Sequence, residues 1–321
     1  MQKIKQNISK IIKHCGCLNE LDNVLIIYDS STKKISELFF NQIKKSNKVQ
    51  KTKIKLSDHH GFEPSKKVAI LMKNSKLIIC LSKYSLAHSM ARLNASKNGS
   101  RFLSMPFYNF KLLRSKSFDE NFKKQFFKVR NFTNILSNSK ELLIISQKGT
   151  KVKLFTNKRK GNCCPGFVSK PGELGSPPDI ESNISPLEKK SEGIAVIDGS
   201  ITHEKLGLLK TPVYFDIKKG FIKKIYSKNK RYQIFLNQIF GDKKSKKRIL
   251  AECGIGFNRK AKITGHMLTD EGSYGCVHFG FGANNTVGGK NKVGFHLDCI
   301  IKKPTLFVDK KKIIDEGKIL I

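Results

Sequence analysis

The stretch Val24-Leu25-Ile26-Ile27-Tyr28-Asp29-Ser30-Ser31-Thr32-Lys33 decides the fold of the first half of the chain. Its apolar run is too short for a helix and reads as a strand buried on both faces. The Asp-Ser-Ser-Thr that follows supplies capping side chains for a helix starting near Lys33. The same alternation recurs downstream. A helix pattern over 64–73 sets Val68, Leu71 and Met72 on one face, and Leu77–Leu81 (LIICL) is the next buried strand. Residues 85–97 read as a helix with Leu86, Met90 and Leu93 inward, and 101–105 as a further strand. A lysine-rich helix over 120–136 and strands over 142–146 and 152–156 close the series. Such alternation builds βαβ units, so an α/β, Rossmann-like domain with a parallel sheet is expected over residues 1–156.

The texture then changes. Residues 157–192 are rich in Gly, Pro, Ser and Asn, and include Pro171-Gly172, Pro177-Pro178 and Ser185-Pro186, which reads as a long irregular segment. Short strand signals follow over 193–197, 213–217 and 221–226, with a turn at Lys218-Lys219-Gly220 and a helix over 229–240. From Leu250 to Ile321 the chain is glycine-rich and strand-like. The second domain is expected over 157–321, as an α+β unit carrying the chemistry.

Composition bounds the function. In 321 residues, 39% hydrophobic with 9% aromatic, there is enough apolar side chain for two ordinary cores. No apolar run reaches the roughly 20 residues of a membrane span, and no signal-peptide pattern opens the chain, so a cytoplasmic protein is expected. The net charge of +37 points to a polyanionic partner if taken alone. The lysines are spread through every region, however, with Asn and Ile abundant and Trp absent, as AT-rich coding produces. A nucleic-acid partner is therefore not expected. Of the cysteines at 15, 17, 80, 163, 164, 253, 276 and 299, none forms a pair with zinc-knuckle spacing, and reduced structural thiols are expected.

The chemistry gathers near the C-terminus. Phe295-His296-Leu297-Asp298 sets an imidazole and a carboxylate two residues apart, hence on one face of a strand. Apolar neighbours on both sides suggest burial, where a bare carboxylate is costly unless it is paired or bound to metal. Val277-His278-Phe279-Gly280-Phe281-Gly282 repeats the device. Glu252, in Leu-Ala-Glu-Cys-Gly-Ile-Gly, and Glu271, in Leu-Thr-Asp-Glu-Gly, add carboxylates in a chain that holds only 25 acidic residues. Together these donors would suffice for a dinuclear site, the alternative being buried His–Asp hydrogen bonding without metal.

The stretch AECGIGFNRKAKITGHMLTDEGSYGCVHFGFGANNTVGGKNKVGFHLDCIIKKPTLFVD resembles the C-terminal signature of the thermophilic metallo-aminopeptidase family (aminopeptidase T and aminopeptidase S) and its shorter leucyl aminopeptidase-like branch. EGIAVIDGSITHEKLGLLKTPVYFDIKKGFIKKI and KLIICLSKYSLAHSMARLNASKNGSRFLSMP resemble its middle and first segments, so the likeness covers most of the chain. By position, the resemblance implies that His278, His296 and Asp298 ligate metal, that Glu252 bridges two ions, and that Glu271 is a further acidic ligand. It places the remaining ligand at Glu181, with Glu173 and Asp179 as competitors. Ile180-Glu181-Ser182 stands where that family has Gly-Glu-Val, and Asn285 where it has a tyrosine.

The resemblance implies a homodimeric hydrolase, an aminopeptidase that removes N-terminal residues from peptides by metal-activated water. Zn, Co or Mn would be its metals, and Glu252 or Glu181 would move the proton. Gly280, Gly282, Gly288 and Gly289 would shape the pocket. The same superfamily resembles a mononuclear iron dioxygenase that opens dihydroxypyridine rings. That alternative needs one Fe(II) held by His278, His296 and Asp298. A non-enzymatic polyanion binder, resting on the lysines alone, is the third reading.

Overall fold

The computed structural model describes residues Met1–Ile321 and divides into two compact units. The first holds Met1–Phe122 with Gly166–Pro178; the second holds Lys123–Pro165 with Asp179–Ile321. The division departs from an expected boundary at 156/157, and sheet membership is the reason.

In the first unit, β1 (Val24–Tyr28), β2 (Val49–Lys53), β3 (Leu77–Leu81) and β4 (Arg101–Ser104) are parallel, in the spatial order β2-β1-β3-β4. The helices are α1 (Gln2–Lys10), α2 (Lys33–Ile43), α3 (Lys66–Lys73), α4 (Met90–Lys97) and α5 (Phe110–Leu113). Leu25, Ile27, Ile78, Cys80 and Phe102 form the core with Val68, Met72 and Leu86 from the crossover connections. The expected parallel sheet is present. Two local readings differ. Thr32 occupies the N-cap position of α2, but its hydroxyl donates to the Leu81 carbonyl, while Asp29 accepts from the backbone of Ser31 and of Lys83. The helix expected from residue 85 starts at Met90, because the Ser89 hydroxyl accepts from the Arg92 N–H and caps it there.

After α6 (Phe122–Asn138), β5 (Glu141–Ile145) and β6 (Lys151–Phe155) leave the first unit's sheet altogether. They lie antiparallel in an eight-stranded sheet, β6 pairing with β10 (Glu192–Ile197) and β5 with β18 (Thr305–Val308). The same sheet takes β13 (Val213–Lys218), β14 (Phe221–Ser227), β19 (Lys311–Asp315) and β20 (Lys318–Ile319). The chain then returns briefly, laying β8 (Leu174–Gly175) beside β4.

A seven-stranded sheet completes the second unit in the order β12-β11-β17-β16-β15-β9-β7. Its strands are β7 (Asn162–Cys164), β9 (Glu181–Ile184), β11 (Ser200–Ile201), β12 (Gly207–Leu208), β15 (Leu250–Gly256), β16 (Val277–Gly282) and β17 (His296–Ile301). The helices α7 (Lys230–Phe240) and α8 (Met267–Asp270) belong to this unit with nearly all of α6. Phe281 meets Phe215 and Phe240 edge-on, at centroid distances of 5.3 and 5.9 Å, in the apolar layer behind the sheet. Residues 157–192, expected to be irregular, thus contribute β7 and β9, strands whose polar composition gave no apolar signal. No helix is long and apolar enough to cross a membrane.

Candidate metal centre

Register places the donors. In the seven-stranded sheet Glu181 pairs with Gly256, Asn183 with Gly254, and Gly254 in turn with His278. Glu252 pairs with Gly280, Gly280 with Asp298, and Gly282 with His296. Because side chains alternate along a strand, Glu181, Asn183, Glu252, His278, His296 and Asp298 all rise from one face. Phe279, Phe281, Cys253, Ile255, Leu297 and Cys299 occupy the other. A β-bulge between Leu250 and Glu252 makes this possible, since it sends Leu250 to the apolar face with Phe281 and Glu252 to the donor face.

The glycines stand opposite the donors because nothing larger fits. A methyl carbon at Gly254 would lie 2.1 Å from His278 Nε2, and one at Gly280 would lie 2.7 Å from His296 Nε2. Of the glycines singled out in the sequence, Gly280 leaves room for His296 and Asp298, and Gly282 for the Phe295 backbone. Gly288 and Gly289 lie in the connection between β16 and β17, where Gly289 packs against the Asn284 side chain. Glu188 holds that connection, accepting from Asn284 Nδ2 at 2.9 Å and the Lys290 N–H at 2.7 Å, with Arg159 Nη2 also 2.7 Å away. Asn285 is exposed on it.

Two sets of donors converge, Glu181–Glu252–His278 and Glu252–His296–Asp298, with Glu252 common to both. His278 Nε2 lies 3.2 Å from Glu181 Oε2 and 3.9 Å from Glu252 Oε1. His296 Nε2 lies 3.4 Å from Glu252 Oε2 and 3.1 Å from Asp298 Oδ1. His278 belongs to the first set, and His296 with Asp298 to the second. Glu271 joins neither set. It lies close enough to the Asp298 carboxylate for that charge to push its own pKa up further. Glu173 belongs to neither set; it lies in the first unit and accepts from the Ser169 and Lys170 N–H groups. Asp179 is buried near Glu181 with Oδ1 unpaired.

The charge on these groups shows that a cation fits. Asp179, Glu181, Glu252, Glu271 and Asp298 are all buried, and only His278 and His296 offset them. Burial, reinforced by neighbouring carboxylates, pushes Asp179 and Glu271 well above the usual carboxylate range. Glu181 is pushed by burial up to about 7. Burial acts against the charge of Asp298 and His296 too, but their mutual attraction wins, holding Asp298 down at about 2 and His296 up at about 10. Without a cation, the cluster must hold protons to survive. His296 Nδ1 lies 2.8 Å from the Ala283 carbonyl, which fixes that nitrogen as the donor and leaves Nε2 as a ligand. Glu181 Oε2 has no hydrogen-bond partner although it is buried, as expected of a lone pair kept for a metal.

Fold and donor set together define an α/β protein with a candidate metal site, whose histidine and carboxylate donors rise from an antiparallel sheet. The chain belongs to the 2,5-dihydroxypyridine 5,6-dioxygenase (NicX) family, whose model matches residues 25–321. A curated relative, 2,5-dihydroxypyridine 5,6-dioxygenase of Pseudomonas putida KT2440, is 26% identical over 172 residues. That match covers 48% of this chain and 47% of the relative, about half the length of each. Among solved structures, 2,5-dihydroxypyridine dioxygenase from P. putida KT2440 superposes with a TM-score of 0.84 at 18% identity, covering 99% of this chain and 96% of that one. Wild-type AmpT from Thermus thermophilus gives 0.74 at 10% identity, covering 100% and 99%. At these identities the two superpositions bear on fold alone.

The aminopeptidase resemblance is therefore corrected. The chain's family is one of dioxygenases, so its reading as an aminopeptidase, and with it the classes hydrolase and protease, fall. The resemblance had a physical basis, since the AmpT fold is shared. A shared fold does not fix the reaction.

Sequence reasoning missed Asn183 and Asn162. Asn183 Nδ2 donates to Glu181 Oε1 at 2.7 Å, and Asn162 Nδ2 donates to Asn183 Oδ1 at 2.8 Å. The i, i+2 argument that linked His296 to Asp298 would have linked Glu181 to Asn183, had residues 181–184 been read as a strand.

Proposed function

We propose that this protein is a metal-dependent dioxygenase that opens the ring of a dihydroxylated pyridine, with iron in the Glu252–His296–Asp298 set. The observation that carries the reading is the convergence of these three donors on a cleared sheet face, inside the span that the family model matches. Imidazole suits Fe(II) among the first-row metals, and the two carboxylates add oxygen donors. When bound, the ferrous ion would supply redox access to dioxygen and an anchor for a substrate hydroxyl. The second set, Glu181–Glu252–His278, offers a neighbouring place for a divalent cation, giving two positions that share Glu252.

The protein's own groups do the positioning. Gly254 and Gly280 leave room for His278, His296 and Asp298 to lie across the sheet. The Ala283 carbonyl fixes the ring orientation of His296, and the Thr202 hydroxyl bonds the Asp298 backbone at both N–H and carbonyl. Glu271, pushed up by burial and by the neighbouring Asp298 charge, stands beside that carboxylate. A small-molecule substrate, a homodimer and a cytoplasmic setting complete the proposal, and eight free cysteines accord with the last.

The test is oxygen uptake. Protein loaded anaerobically with Fe(II) and given 2,5-dihydroxypyridine should consume oxygen and substrate in equal amounts once air is admitted. Loaded protein that leaves the ring intact, while a peptide amide is cleaved in the absence of oxygen, refutes the reading.

A further inference from the structure

We infer that Asn183, itself fixed by Asn162, is a positioning residue that aims Glu181 at the cation position formed with Glu252 and His278. The inference rests on the proposed ligand role of Glu181 and adds the device that makes it work. A free glutamate can present either oxygen, in several rotamers, to a metal. Here Oε1 is taken, because Asn183 Nδ2 donates to it at 2.7 Å. A carboxylate only accepts, so the amide must turn its nitrogen towards it. Oε2 is then left facing His278 Nε2 at 3.2 Å with no hydrogen bond of its own.

The amide is itself fully committed. Asn183 Oδ1 accepts from Asn162 Nδ2 at 2.8 Å, and Nδ2 also contacts Cys164 Sγ at 3.8 Å. Asn162 Nδ2 spends its other hydrogen on the Val287 carbonyl at 3.1 Å, in the connection that leads into His296. The relay thus runs from that connection through two amides to one oxygen of Glu181, across the adjacent strands β7 and β9. Asn183 is 3% exposed, so water cannot take over either bond when the amide is lost. Gly254 stands beside Asn183 in the register and leaves no other side chain to do the work.

Mn(II) binding to the cation-free protein tests this, read by calorimetry with folding checked by circular dichroism. Asn183→Leu, close in volume, should weaken the Glu181-side equivalent by roughly 10- to 100-fold and leave the other equivalent unchanged. Glu181→Gln should abolish that equivalent. In the Glu181→Gln background Asn183→Leu should cost nothing further, a non-additivity that a merely structural asparagine would not produce. Asn162→Ala should give a smaller loss of the same kind, and it carries the test if Asn183→Leu does not fold. If Glu181→Gln leaves Mn(II) binding intact, the ligand assignment itself fails and the inference fails with it. If Glu181→Gln weakens binding while Asn183→Leu and Asn162→Ala match the wild type, the ligand stands and the relay is overturned.

Discussion

Replacing Gly254 by Ala puts the whole site argument at risk with one methyl group. The added carbon would lie 2.1 Å from His278 Nε2 and 2.2 Å from Cε1, whereas ordinary contact begins near 3.4 Å. The imidazole edge must therefore retreat by about 1.3 Å, the difference between those two distances. His278 is 1% exposed, so the ring has no solvent to move into and neighbouring groups must give way. Overpacking of this kind costs about 1–3 kcal/mol. Metal–ligand distances tolerate only about 0.2 Å, so a retreat of that size removes the His278 bond outright. The expected result is a folded protein, melting several degrees lower, that has lost the Mn(II) equivalent at the Glu181–Glu252–His278 position. Gly294→Ala is the control, since a methyl there meets nothing within 4 Å. Calorimetric titration and thermal melts of both variants decide the matter. Gly254→Ala that binds Mn(II) with wild-type stoichiometry and affinity would show that His278 does not face the cation as described.

Three further outcomes follow from the same structure. In cation-free protein, Glu181 stays protonated up to about 7 when folded, against an ordinary value near 4.5, so its stabilising share is complete at lower pH and is lost as pH rises through 7. Melting temperature should therefore fall from about pH 4.5 to 7 and recover on adding Mn(II), and a flat profile over that range without cation would contradict the buried-acid account. Phe281→Ala, on the face away from the donors, should cost about 3–5 kcal/mol by opening the Phe215–Phe240 cluster, measured by urea unfolding, and a cost under 1 kcal/mol would mean that the layer is loosely packed. If the surplus lysines reflect composition and not a binding surface, moderate salt should release any bound nucleic acid without changing turnover. Selective RNA binding that persists at physiological salt would overturn that reading.

The sequence alone determined a good deal, for local reasons. VLIIY and LIICL are so uniformly apolar that only a doubly buried strand accommodates them, and the parallel sheet of the first unit follows from their alternation with helices. His296-x-Asp298 and the buried setting of His278 were legible because a strand's two-residue repeat is a property of the backbone itself. The bulge at Leu250–Glu252 was not legible, since an extra residue leaves no compositional mark. Nor was β9, whose residues Glu181-Ser182-Asn183-Ile184 are strand-like only because Gly254 and Gly256 lie across from them.

Only the tertiary structure decided which sheet each strand joined, and so where the units divide. It also brought Glu181 and Glu252 to His278, and Glu252 and Asp298 to His296. These are long-range pairings, set by hydrogen-bond register between segments far apart in the chain. A local pattern states which face of its own strand a side chain occupies, but which other strand meets that face is fixed only when the sheet forms.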